Sequence, residues 1–358
     1  MKRWKTWLGI AVSAAAIWYA ARGVEWGEVG RSLAGADFRL LAVVFVLAPI
    51  VNVGMRALRW RVLLLPMGRL PMSSLVSATA IGLMANNVLP ARIGEFVRAY
   101  ALARREGVPT GTAFGSLFVE RLFDGFALVG ILYALTWLHT FPAWVDTTIR
   151  IAFYLFIGLL AFQVALLWRS HRVIVLLQRI SHRFWGGRFE DSIEHVVVAF
   201  VDGFRLLRSP ALVAVSFLLA LVQWTLIAGS FWLGLAAFDL VGQAGWEGAF
   251  FVNGVTALGV AVPSSPGFVG TFQAFVVKSL AAFGIAPTPA FTFSVGYHAA
   301  NYLSVTAVGL AYFLRAGLSW REIERSEEVL ERELEEEFEE GLEPALGTDP
   351  VAPEAGGV

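Results

Sequence analysis

The chain has 358 residues, of which 57% are hydrophobic and 16% charged, and it contains no cysteine. Soluble domains average roughly 45–50% apolar and about 25% charged residues, so this composition argues against a water-soluble fold and for a bilayer, whose interfaces suit 28 Phe and 13 Trp. Disulfides, thiolate nucleophiles and cysteine-held metals are excluded, and the zero net charge hides two unequal parts: 26 bases against 14 acids up to residue 321, then two bases against 14 acids.

At the N-terminus, Lys2, Arg3 and Lys5 precede an apolar stretch at 7–21, the pattern of a signal segment. Trp18 and Tyr19 stand where a processing site wants small residues, which predicts a retained signal anchor over a cleaved peptide. Further runs long enough to cross about 30 Å at about 1.5 Å per residue occupy 38–55, 113–138, 149–168, 210–238 and 291–314. Two more apolar regions are broken. Residues 75–89 stop at Pro90 and continue as a basic helix, and residues 250–283 are interrupted by Pro263-Ser264-Ser265-Pro266-Gly267.

Lys and Arg crowd the N-terminus and residues 56–69, 98–105, 169–208 and 315–325, whereas 139–148, 239–248 and 284–290 hold none. The positive-inside rule makes the first group, and with it both termini, cytoplasmic. The chain must then enter the membrane and return to the same side between residues 69 and 104, and do so again from the opposite side between 247 and 287. The expected fold is all-α, a polytopic transmembrane helix bundle over residues 1–320 with two re-entrant, broken-helix hairpins of opposite orientation. The alternative is an ordinary short span at 75–89 with one exception to the charge rule. Non-helical backbone at membrane depth is tolerated only inside protein or beside a wet cavity, and transporters place binding sites at such breaks.

Residues 171–208 mix apolar and basic side chains and read as helices lying on the interface. The tail, 321–358, is acidic. Leu330, Leu334 and Phe338 at four-residue spacing predict one amphipathic helix there, followed by disorder beyond Pro344. Docking of a soluble partner by this tail is left open.

Three constellations carry chemistry. In the first, Pro90 starts a helix bearing Arg92, Glu95 and Arg98 at i, i+3 and i+6, and its free amides and dipole favour a phosphate or carboxylate. Arg92 is expected to contact the anion and Glu95 to orient it, while Asn86 and Asn87 either cap the preceding helix or bond a headgroup. In the second, Glu120, Arg121 and Asp124 sit one-third to one-half of the way into a span, where an unpaired charge costs at least about 2.5–3.5 kcal/mol. One network joining them to the first group would balance three charges against three, serving either the site or simple helix locking. In the third, Pro263 and Pro266 break a helix and Gly267 and Gly270 permit close approach. Ser264 and Ser265 can satisfy amides or a ligand, with Gln273 one turn beyond. His298 and Asn301, at i and i+3 in the last span, add polar groups at depth.

The run from Asn86-Asn87 through Leu89, Pro90, Arg92, Gly94 and Glu95 to Arg98 resembles the lysylphosphatidylglycerol-synthase transmembrane-region family. So do Glu120-Arg121 with Asp124 and the Pro-Ser-Ser-Pro-Gly-x-x-Gly turn, in the right order across residues 5–316. The resemblance implies a flippase for aminoacylated phospholipids or for polyprenyl- and glycolipid-linked intermediates. Gln273 stands where the family often has Glu, so no carboxylate carries over to the second hairpin. No aminoacyl-transferase domain follows the last span, and synthase activity is not expected. The leading expectation is therefore a non-enzymatic lipid translocase of the cytoplasmic membrane, with no cofactor, metal or nucleic-acid partner and with an anionic lipid as ligand. The competing readings are a small-solute or ion-coupled transporter and an intramembrane hydrolase using Ser264 or Ser265 with His298.

Overall fold

A computed structural model of the chain describes residues 3–89, 93–168, 209–260 and 265–325. Pro90, Arg92, Pro263 and Ser264, the interfacial helices expected at 171–208 and the amphipathic helix expected in the tail lie outside those residues. Among the described residues the chain is all helical, with no strand.

Helix α1 (Arg3–Ala20) is followed by the short α2 (Trp26–Ala34). Next, α3 (Phe38–Pro49) runs through a π-helical segment (Ile50–Met55) into α4 (Arg56–Leu63). The first broken region is α5 (Met72–Val88) and α6 (Gly94–Glu106). Two long helices follow, α7 (Thr110–Leu138) and α8 (Ala143–Trp168), and the chain resumes with α9 (Pro210–Ala237). The second broken region is α10 (Val241–Gly259), a 3-10 turn (Pro266–Phe268) and α11 (Thr271–Ala281), and the body closes with α12 (Pro287–Ala316) and α13 (Trp320–Glu324). Every apolar run expected from the sequence falls on one of these helices.

Among the described residues, Phe38–Leu63 and Pro210–Ala237 are continuous helices long and apolar enough to cross a membrane. Helices α7 and α12, at 29 and 30 residues, also exceed the roughly 20 that a hydrocarbon core requires. Their middles carry Glu120, Arg121 and Asp124 or Tyr297, His298 and Asn301, which turn inward. Apolar side chains meanwhile cover the outside: Trp137 and Leu138 are 76% exposed and Leu314 is 70% exposed. Apolar faces on this scale suit lipid and not water.

Small residues set how closely the helices approach. Helix α5 packs against both α6 and α12. Gly82 of α5 faces the Gly94 carbonyl, where an added Cβ would sit 2.6 Å from the oxygen, and Gly309 of α12 faces the α5 backbone at Ala80. Backbones this close exclude any side chain between them. Gly82→Ala should therefore destabilise the protein by about 1–3 kcal/mol through overpacking, whereas Gly130→Ala, with open space around it, should be neutral or stabilising. Melting curves in detergent check the contrast.

The packed body extends past residue 320. Ile323 is fully buried in a cluster with Ile81, Met84, Ile93, Val97 and Phe313. Ser319 and Glu322 form a reciprocal cap at the start of α13, and Arg104 of α6 pairs with Glu322. The Ser319 amide and hydroxyl, together with Arg104, hold the Glu322 carboxyl below the usual carboxylate range.

Candidate functional site

The two breaks meet. The Asn87 carbonyl, at the end of α5, accepts a hydrogen bond from the Tyr302 hydroxyl at 3.3 Å and lies 3.3 Å from where a Cβ on Gly267 would be. Gly267 and Gly270 both have left-handed φ, of 66° and 90°, as the turn requires, and so does the non-glycine Phe268 at 60°. Asn86 is a cap, but of the following helix and not of its own: its Oδ1 accepts from the Gly94 amide at 2.8 Å, satisfying a free donor of α6. The Asn87 amide donates to the Thr306 hydroxyl at 2.8 Å.

On the second break, the Ser265 amide donates to the Ser13 hydroxyl of α1 at 2.8 Å, and its own hydroxyl donates to the Val269 carbonyl at 3.1 Å. Gln273 accepts from the Gly270 amide at 2.7 Å, and its other end meets His298 Nδ1 at 3.1 Å. The His298 ring stacks on Phe272. Ser265 and His298 thus engage different partners, and Ser264, the other serine of the expected hydrolase pair, lies outside the described residues.

The charges gather into one network that is larger than expected, buried except at Glu95 and Arg121. Glu120 Oε1 accepts from Arg98 Nη1 at 3.0 Å, with Arg56 Nη1 at 3.7 Å. Asp124 holds Arg59 at 2.6 Å, Arg121 at 3.3 Å and the Trp224 indole at 3.0 Å. Glu95 pairs with Arg121 and reaches Arg98 at 4.0 Å. Arg59, fully buried, also donates to Gln223 at 2.7 Å, and the Arg98 guanidinium lies 4.1 Å above the Trp60 ring. Arg56 and Arg59 were expected among cytoplasmic loop cations. Instead the uninterrupted helix from Phe38 to Leu63 carries both into the bundle, where the acids of α7 pair with them. The three-against-three balance accordingly gives way, among the described residues, to Arg56, Arg59, Arg98 and Arg121 facing Glu95, Glu120 and Asp124.

A cavity of about 240 Å³ opens beside this network. Arg56, Glu95 and Arg121 border it on the charged side, Asn86, Asn87, His298 and Asn301 on the side of the breaks, and Phe268 and Phe272 on the apolar wall. Of the residues singled out in the sequence, the structure brings Asn86, Asn87, Glu95, Arg121, His298 and Asn301 to the cavity wall. Arg98, Glu120 and Asp124 stand behind it, and Ser265, Gly270 and Gln273 shape the turn. The sequence reading missed Asn52, Arg56, Trp224 and Asn253, which also line the cavity. For Asn52 and Asn253 the signal was present: polar groups inside otherwise apolar sequence, the pattern that marks an intramembrane site.

The family model for the lysylphosphatidylglycerol synthase TM region matches residues 6–309. The chain belongs to this family. Among curated proteins it is 36% identical, over 109 residues, to the Glycosyltransferase AglD of Haloferax volcanii, covering 30% of this chain and 17% of that protein. It is 27% identical, over 220 residues, to a UPF0104 membrane protein of Methanothermobacter thermautotrophicus, covering 56% of this chain and 62% of that one. The chain thus spans less than two thirds of either relative, and no solved structure matches it. Like the other members of the synthase TM-region family, it is a membrane protein, and the aligned segment takes in all three motif groups.

Proposed function

We propose that this protein translocates a lipid with an anionic headgroup, a phospholipid or a polyprenyl- or glycolipid-linked intermediate, across the cytoplasmic membrane. One observation carries the reading: a polar cavity of about 240 Å³, bordered by arginines, at the meeting point of two helix breaks inside a bundle whose outer surface is apolar. Such a cavity takes a headgroup while the acyl chains stay in lipid, and helix breaks are where alternating-access transporters hold polar cargo. In this topology both termini are cytoplasmic and the two broken regions enter as hairpins from opposite sides. In this reading the protein moves its ligand without changing it, and Ser265 and His298 serve the turn through their hydrogen bonds to the Val269 carbonyl and to Gln273. The named activity of AglD concerns a protein of which only 17% aligns here.

Liposomes test this directly. Purified protein reconstituted with trace labelled phosphatidylglycerol in one leaflet should equilibrate the label faster than empty vesicles, with a rate that depends on the headgroup. Folded protein that moves none of a panel of anionic lipids would overturn the proposal. Because the chain has no cysteine, single Asn87→Cys and Ser265→Cys variants report water access without background labelling.

A further inference from the structure

Resting on that reading, the structure assigns Arg56 as the residue that seats the ligand's anionic group, and the seat takes one negative charge, that of a phosphodiester. Three independent features point there. Pro49 has no N–H to give to the carbonyl four residues back, and the chain immediately enters a π-helical segment, Ile50–Met55, a rare geometry that is frequent at functional sites. Asn52 and Arg56, from this segment and the residue just after it, both line the cavity.

Arg56 is also the loosest member of the network. It is 6% exposed, and its nearest carboxylate oxygen is 3.7 Å away and already bonded to Arg98, whereas Arg59, Arg98 and Arg121 each hold a carboxylate at hydrogen-bond distance. A buried guanidinium ordinarily makes charge-assisted bonds, and this one has donor capacity beside an accessible cavity.

The third feature is the charge count. Four arginines face three carboxylates among the described residues, and at low dielectric a surplus positive charge is costly. A ligand with one negative charge neutralises it. Among the described residues the set without Arg56 is balanced, three against three. The seat should therefore be separable from the scaffold, unlike Arg59 with its direct bonds to Asp124 and Gln223. The carboxamides of Asn52, Asn253 and Asn301 on the same walls offer donors and acceptors to hydroxyls beside the phosphate.

The test compares wild type with Arg56→Gln and Arg56→Lys in detergent. The probes are dihexanoyl phosphatidylglycerol, its deacylated headgroup glycerophosphoglycerol, and an uncharged dihexanoyl glucosylglycerol. Arg56→Gln should bind the phosphatidylglycerol at least about tenfold more weakly, with unchanged binding of the uncharged lipid and a melting midpoint within about 3 °C of wild type. Arg56→Lys should recover part of the loss. Full binding of glycerophosphoglycerol would make the seat a phosphodiester site independent of acyl chains, whereas binding of the intact lipid alone makes it a lipid-headgroup site; either supports the assignment. Phosphatidylglycerol binding unaffected in Arg56→Gln, or lost equally for the uncharged lipid, overturns it, as does a large drop in melting midpoint. Wild-type binding without translocation in liposomes would instead sink the translocase reading and leave the seat standing.

Discussion

Glu120→Gln should cost about 3–5 kcal/mol and lower the melting midpoint by roughly 5–15 °C. Glu120 is fully buried on α7, and its Oε1 faces Arg98 at 3.0 Å and Arg56 at 3.7 Å. The glutamine keeps the volume and one acceptor but removes the charge. Four arginines would then face two carboxylates in a medium where an unpaired ion loses most of its hydration, and breaking one side of a buried pair is what proves expensive. Adding Arg56→Gln to Glu120→Gln returns the surplus to its original size. The double variant should recover more than about 1 kcal/mol relative to additivity, because the two sites share one network. Strict additivity in the cycle would mean that Arg56 and Glu120 do not sense one another, and the charge-count argument would fail with it.

Much of this architecture was legible in the sequence because membrane helices must satisfy their backbone internally and announce themselves as long apolar runs. The runs at 113–138 and 210–238, for example, appear as α7 and α9 with bounds shifted by no more than three residues. The interruptions at the first and second broken regions were legible for a similar reason: proline and glycine in apolar sequence have few structural uses. What the sequence concealed was which face each helix turns inward. Arg56 and Arg59 follow an apolar stretch, as loop cations do, and only the continuation of the helix to Leu63, together with the acids of α7, draws them inside. Asn86 shows a different limit. Its type suggested a cap for the helix it ends, yet its bond to Gly94 across the break follows from the close contact of Gly82 with Gly94, a tertiary fact.

Gly267→Ala should be strongly damaging, because the added methyl group meets both a backbone and a steric penalty at the second break. Alanine at φ 66° pays about 1–2 kcal/mol for the left-handed conformation, and its Cβ would sit 2.5 Å from the Tyr302 ring, adding about 1–3 kcal/mol of overlap. Gly107→Ala separates the two contributions. Gly107 has φ 67° and nothing within 4 Å of its would-be Cβ, so it carries the conformational penalty alone. The difference in melting midpoint between the two variants therefore reads the steric contact by itself. Tyr302 donates to the Asn87 carbonyl, so a methyl group that pushes its ring aside pulls on the bond between α12 and the first break. Under the translocase reading, Gly267→Ala should slow lipid movement even at temperatures where it stays folded, while Gly107→Ala should not. Equal melting shifts and equal transport rates would show that the two breaks are neighbours without being coupled, and a cavity gated by their relative movement would lose its physical basis.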